Sequence, residues 1–187
     1  MIKRCAWPGN NELMIQYHDE EWGVPLHDDK KLFEFLVLDA FQAGLSWQTI
    51  INKRKNFEKA FDNFKAEKIV KYKDKDFQRL MNDAGIIRNK LKIQATIINA
   101  QKFLEVKKES GSFDKYIWQF TQGKTIKNKF RSLKELPAKT ILSDKMSLAL
   151  KQKGFKFVGS TICYAFMQAA GMVNDHCVDC FRYNELK

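Results

Sequence analysis

Two cysteine–histidine pairs stand at opposite ends of this chain. Cys5 and His18 are spaced C-x12-H, and His176 and Cys180 are spaced H-x3-C. Two thiolates and two imidazoles make a complete tetrahedral ligand set for zinc. If all four meet on one ion, segments 1–27 and 171–187 must lie together, which excludes any fold with distant ends. Four protein ligands leave no position for a substrate, so such an ion is structural. Spacing alone also allows chance placement, because the two halves lie far apart in sequence. Cys177 competes with Cys180 as a ligand. Cys180 is preferred, since adjacent residues rarely point at the same ion. Cys163, in the apolar run ICYAFM, reads as core.

Between the pairs, helical signals dominate and strand signals are nearly absent, which predicts an all-α chain. Asp28 and Asp29 can cap a helix over 30–43, stopped by Gly44. Ser46 can cap the next, carrying Trp47, Ile50, Ile51 and Phe57 toward Phe61. Short helices are predicted near 66–72 and 77–84. The longest pattern, 90–107, places Ile93, Ile97, Ala100 and Leu104 on one face. Residues 112–120 read as a helix, 121–140 as a Lys-rich connection, and 143–153 and 160–170 as two final helices. The first 27 residues show no helical period and no strong strand pattern, so a metal clip gains value as their anchor. One domain spans 1–187.

The chain carries 33 Lys and Arg against 22 Asp and Glu, a net charge of +11. That excess suits a polyanionic partner, although a lysine-rich solvated surface gives the same balance. No run of about 18 apolar residues exists, so no membrane span is predicted. The N-terminus MIKRCAWPGNNE lacks the apolar core of a signal peptide, so the expected location is cytoplasmic with reduced cysteines.

Three segments carry possible chemistry. In GFKFVG (154–159), Gly154 and Gly159 bracket a tight turn between two helical patterns. A helix–hairpin–helix is built this way, with backbone N–H groups free to hold a DNA phosphate and Lys156 adding charge. An ordinary helix–helix connection has the same spacing. QAGLSW (42–47) is a compact inter-helical loop, with Gly44 and Leu45 at its tip. Leu45 is either core or a wedge that fills a duplex after a base leaves. Trp7, Tyr17, Trp22 and Trp47 include three of the chain's four tryptophans. They are core, or faces for stacking on a flat and cationic base. Asp39, in LVLDAFQAG, is an acid in an apolar context, either on the polar face or kept inside for a purpose.

Five motifs then occur in order: YHDEEWGVP (17–25), QAGLSW (42–47), DAGIIR (83–88), GFKFVG (154–159) and VNDH (173–176). Together they closely resemble bacterial 3-methyladenine DNA glycosylase I, from Cys5 to Cys180. The resemblance implies an all-helical helix–hairpin–helix glycosylase, with the hairpin near 143–170. It implies a structural zinc on Cys5, His18, His176 and Cys180. It also implies a monomer acting on double-stranded alkylated DNA, which releases 3-methyladenine and leaves an abasic site. The base pocket maps onto Tyr17, Trp47 and Asp39, with Trp7 and Trp22 lining it, and Asp39 is the candidate catalytic residue. The Gly44–Leu45 tip matches the part that enters the duplex. The family commonly has glutamate where this chain has Asp39. Aspartate is one methylene shorter, so the backbone lies closer to the base or a water bridges the gap. Schiff-base-forming helix–hairpin–helix relatives carry a lysine two residues after the second hairpin glycine; here that residue is Thr161, which predicts simple hydrolysis. The competing readings are a non-enzymatic DNA-binding module and a zinc hydrolase, the latter disfavoured by a closed ligand set.

Overall fold

The computed structural model describes residues 2–186. Helix α2 (Asp29–Gln42) forms its centre, because all ten side chains from Leu32 to Phe41 are buried. A helix that is apolar all round must be covered on every side. The cover comes from α3 (Trp47–Ala60), α6 (Lys90–Ser110), α7 (Phe113–Trp118) and α9 (Ser160–Ala169). Aromatic pairs lock these layers: Phe33 lies 4.9 Å from Phe103 and Phe41 4.8 Å from Phe57, ring centre to ring centre. Short helices α4 (Ala66–Ile69) and α5 (Asp74–Asn82) close the side beside α6.

The helix starts follow capping chemistry. The side chains of Asp28, Ser46, Asn89 and Ser112 each accept a backbone N–H from the first turn of α2, α3, α6 and α7. In α8 (Ile141–Gln152) the cap is Thr140, and Ser143 returns the bond as its capping-box partner.

Two expectations need correction. The first 27 residues are not free of helix: α1 (Glu12–Glu20) is present, capped by Asn11 and burying Met14, Tyr17 and His18. Its polar exposed face obscures the period, and only one turn's worth of side chains is buried. The connection over 121–140 also contributes more than linkage. Its strand β1 (Ile126–Lys127) pairs in parallel with β2 (Val173–Asn174), and Leu133–Glu135 forms a 3-10 turn. A last short helix, α10 (Phe181–Glu185), follows β2.

The two ends meet. Phe181 N–H donates to the Lys3 carbonyl (2.9 Å), Gly23 N–H to Gln168 (2.9 Å) and Leu26 N–H to Ala170 (3.1 Å). Gly171 stands at this crossing with φ +66°, and a Cβ there would overlap the backbone of Val24 and Pro25. Gly171→Ala therefore meets both a left-handed backbone strained for any side chain and a clash. It is expected to cost about 3 kcal/mol or more, read as a loss of Tm in thermal unfolding.

Candidate functional site

A cavity of about 290 Å³ opens where α1, α2, α3 and α9 converge. That is near the small end of ligand pockets, at ~300–1,000 Å³. Its walls include Trp7, Tyr17, Trp22, Asp39 and Trp47, so every pocket residue expected from the sequence lines one space. Tyr17 comes from the buried face of α1, Asp39 from the last turn of α2, and Trp47 from the first residue of α3. The rings lean on one another: Tyr17–Trp47 at 5.2 Å, Trp7–Trp22 at 5.1 Å and Trp7–Tyr17 at 6.1 Å.

Sequence reasoning missed Gln42, Ala165, Gln168, Leu133 and Leu136, which complete the lining. Gln42 was visible inside the QAGLSW motif. Leu133 and Leu136 lie in the stretch read as linker, and no local pattern marks them. Gln168 is oriented by Asp175, which accepts its Nε2–H at 2.8 Å and also takes the Tyr164 hydroxyl at 2.7 Å.

Helix α2 buries two acids, and their treatment differs. Glu34 accepts from Arg54 Nε at 2.7 Å and pairs with Lys31 at 2.8 Å, while the same Arg54 holds Glu21 with both terminal nitrogens. Asp39, only 2% exposed, has no counter-ion, and its Oδ2 has no hydrogen-bond partner among the described residues. Burial drives its carboxyl pKa well above the usual carboxylate range. Burial, with Asp39 and Glu21 nearby, likewise holds the Tyr17 phenol in its neutral form. The ring nitrogens of Trp7 and Trp47 are also buried without partners among the described residues. Native proteins seldom leave such atoms unpaired. Here one acceptor and two donors without partners line one aromatic cavity. This arrangement fits a flat ligand that brings positive charge and N–H groups to Asp39.

Below this wall, Cys5, His18, His176 and Cys180 form a buried cluster whose ligand atoms all lie within 4.8 Å of one another. Cys180 Sγ is 3.6 Å from His18 Nε2 and 3.5 Å from His176 Nδ1, and Cys5 Sγ is 3.8 Å from His176 Nδ1. For a tetrahedral zinc, sulfur and nitrogen ligands stand about 3.6 Å apart. The outer contacts fit too. His18 Nδ1 donates to Asp19 (2.7 Å) and His176 Nε2 to the Trp22 carbonyl (2.9 Å), leaving the opposite nitrogen of each ring to face the cluster. Burial lowers the pKa of both imidazoles, His176 to about 4, which keeps them neutral and able to ligate. Burial also pushes the Cys5 thiol upward, a cost that a bound cation would offset. Cys177 stays outside the group and donates its backbone N–H to Cys5 Sγ at 3.3 Å.

The residues expected at a DNA surface divide into two turns. Gly44 adopts φ +77°, and Leu45 beyond it is 42% exposed, so Leu45 is not core. The other turn joins α8 to α9, with Gly154 at φ +90°, Lys156 exposed and Gly159 capping α9.

Comparison with known proteins bears on this geometry. DNA-3-methyladenine glycosylase 1 of Escherichia coli (strain K12) is 47% identical over 182 residues, 97% of each chain. DNA-3-methyladenine glycosylase of Haemophilus influenzae is 43% identical over 96% of this chain and 97% of its own. The solved structure of 3-methyladenine DNA glycosylase I from Staphylococcus aureus, which concerns its recognition of 3-methyladenine, matches with a TM-score of 0.92 at 35% identity over 95% of both chains. The sequence model described as methyladenine glycosylase covers residues 7–183, and with relatives this similar over almost their full length, the chain belongs to the methyladenine glycosylase family.

Proposed function

We infer that this chain hydrolyses the N-glycosidic bond of 3-methyladenine in alkylated DNA, releasing the base and leaving an abasic site. The observation that carries the reading into this molecule is the unpaired carboxylate of Asp39 inside a wall of aromatic rings. Methylation at N3 makes the base cationic while it is attached to the sugar. A flipped cation stacks on Trp47 and Tyr17, and Asp39 accepts its exocyclic N–H. Cation–π attraction in a desolvated site is worth about 2 kcal/mol, and unmodified adenine gains less of it. The buried acid ionises against the entering cation and so supplies the counter-charge that Glu34, already paired, does not.

A cationic base is a good leaving group, so little proton donation is needed. The C1′–N9 bond breaks with its electron pair going to the base, which departs neutral. Water adds at C1′ and its proton passes to solvent. Asp39 also favours positive charge growing on the sugar, in second place to recognition. Helices α8 and α9 with the 154–159 turn serve as a helix–hairpin–helix that grips phosphate without reading sequence, and Leu45 fills the gap left by the base. Cys5, His18, His176 and Cys180 hold a structural zinc, which ties the two ends of a single domain. The location is cytoplasmic and the working form a monomer.

Methylated duplex DNA tests the reading directly. Free 3-methyladenine should appear, and borohydride should trap no covalent adduct, because Thr161 stands where a Schiff-base lysine would. A chain that binds this DNA and releases no base is a binding module instead; a trapped adduct overturns simple hydrolysis.

A further inference from the structure

Helix α6 buries a polar stripe that neither the pocket nor the metal cluster uses. Lys92, Thr96 and Asn99 are 6%, 2% and 1% exposed and follow one another at the i, i+4, i+7 spacing of a single helix face. Apolar residues would cover that face at lower cost, since burying an ammonium or an amide is unfavourable unless its hydrogen bonds are made. Lys92 has no carboxylate partner among the described residues. Its Nζ instead donates to the carbonyls of Phe41 (2.7 Å) and Ala43 (2.5 Å), at the C-terminal end of α2 where backbone acceptors lack helical partners. Those carbonyls flank Gln42 of the pocket, and that of Ala43 immediately precedes Gly44 and Leu45.

Asn99 does the same two turns along. Its Nδ2 donates to the Lys156 carbonyl (3.0 Å) and its Oδ1 accepts the Lys156 N–H (2.7 Å), a reciprocal grip on the middle of the 154–159 turn. Beside it, Lys102 of α6 packs where a Cβ on Gly154 would fall. Lys156 N–H and C=O belong to a turn in which Phe157 takes φ +55°, so no regular element satisfies them. The stripe thus touches both exposed turns through hydrogen bonds to backbone. Backbone grips fix the path of the chain whatever the side chains at the tips.

We propose that α6 acts as a gauge, with Lys92 and Asn99 as positioning residues that set the Leu45 turn and the 154–159 turn at a fixed separation, so that wedge and phosphate grip engage one duplex together. The proposal rests on the reading of those turns as DNA contacts. Seven residues of helix separate the two pins, about 10 Å along a rigid rod. The gauge matters only where a base must be drawn from a duplex and the gap filled. In single-stranded DNA there is no gap, and the pocket works alone.

Three readouts separate the possibilities: binding of free 3-methyladenine, excision from methylated duplex, and excision from the same strand unpaired. Lys92→Met is expected to lose at least about 10-fold on duplex with less than about 2-fold change in the other two. Lys92→Arg, which keeps donors for both carbonyls, should recover most of the duplex loss. Asn99→Ala should show the same duplex-selective defect from the far pin, and it decides the matter if Lys92→Met does not fold. Equal losses on both DNA forms and in base binding, or no duplex loss, overturn the gauge. Leu45→Ala runs beside them. If it excises from duplex at the parental rate, the wedge reading fails and takes the gauge with it. If Leu45→Ala falls while both pin variants hold, only the gauge fails.

Discussion

Asp39→Asn should bind 3-methyladenine weakly and excise it slowly, yet unfold at a higher temperature than the parent. Both effects come from one fact: the carboxylate is buried without a partner. Toward a cationic base, removing the counter-charge from a desolvated site costs about 3 kcal/mol, roughly a 100-fold loss in excision. In the empty protein the same group is a liability. Its folded pKa lies well above the ordinary value of 3.8, so between those two pH values the folded state holds more protons than the unfolded chain. Stability therefore falls as pH rises through that window, and well below the unfolded value this penalty is absent. Asparagine has nothing to ionise. The variant's advantage should grow as pH rises from about 4, reaching at least about 1 kcal/mol, some 2–4 °C for a chain of this size. The decisive comparison is thermal unfolding at several pH values beside a single-turnover excision assay. Unchanged excision and unchanged binding would remove Asp39 from the site; a pH-independent difference in Tm would mean its carboxyl is solvated after all. Glu34, in the same helix but paired with Arg54 and Lys31, serves as the contrast.

What could be read from the sequence follows the range of the physics involved. Helices α2, α3 and α6 were legible because capping residues and a 3.6-residue period act within a few residues. The cysteine–histidine cluster and the aromatic wall stand out as candidates because cysteine, histidine and tryptophan are few, but spacing alone leaves both open, and their assignment rests on the resemblance of five ordered motifs to a known family. Helix α1 escaped notice because it buries only Met14, Tyr17 and His18, two of which are usually counted as polar. The remaining pocket wall was hidden for a different reason. Leu133, Leu136 and Gln168 reach the cavity only after β1 pairs with β2 and α9 docks on α2, contacts made across long stretches of chain. Lys92 and Asn99 were invisible to a pattern that counts apolar residues, since their burial is stabilised by carbonyls and an N–H that exist only once the turns are folded.

Removing the metal should abolish base binding while most of the helix content survives. Structural zinc supplies on the order of 10–16 kcal/mol of apparent binding free energy in small peptides, comparable with the whole stability of a typical domain. At the proposed zinc site that energy is applied locally. The α2-centred core packs through residues far from the cluster, such as Phe33, Phe41 and Phe57, and does not need the ion to bury them. On the proposed zinc reading, the N-terminal segment does need it. Its other ties to the C-terminal end include backbone hydrogen bonds such as Phe181 to Lys3, worth about 1 kcal/mol each, the exposed Lys3–Asp179 ion pair and Arg4 over the Phe181 ring. Trp7 lies 5.3 Å from the His18 ring and Trp22 lies 4.6 Å from the His176 ring, so losing the cluster frees two walls of the pocket at once. Treatment with a strong chelator, or Cys5→Ser, should therefore red-shift tryptophan fluorescence and eliminate measurable binding of 3-methyladenine. Far-UV circular dichroism should fall only modestly, because α1 is the one helix of the N-terminal segment among the described residues. Metal analysis of the purified parent should find one zinc per chain, and Cys5→Ser should carry less. A Cys5→Ser protein with full zinc content, unshifted fluorescence and intact base binding would show that the four side chains hold no ion together. Global loss of helix on chelation would instead mean that the metal holds the core as well as the pocket wall.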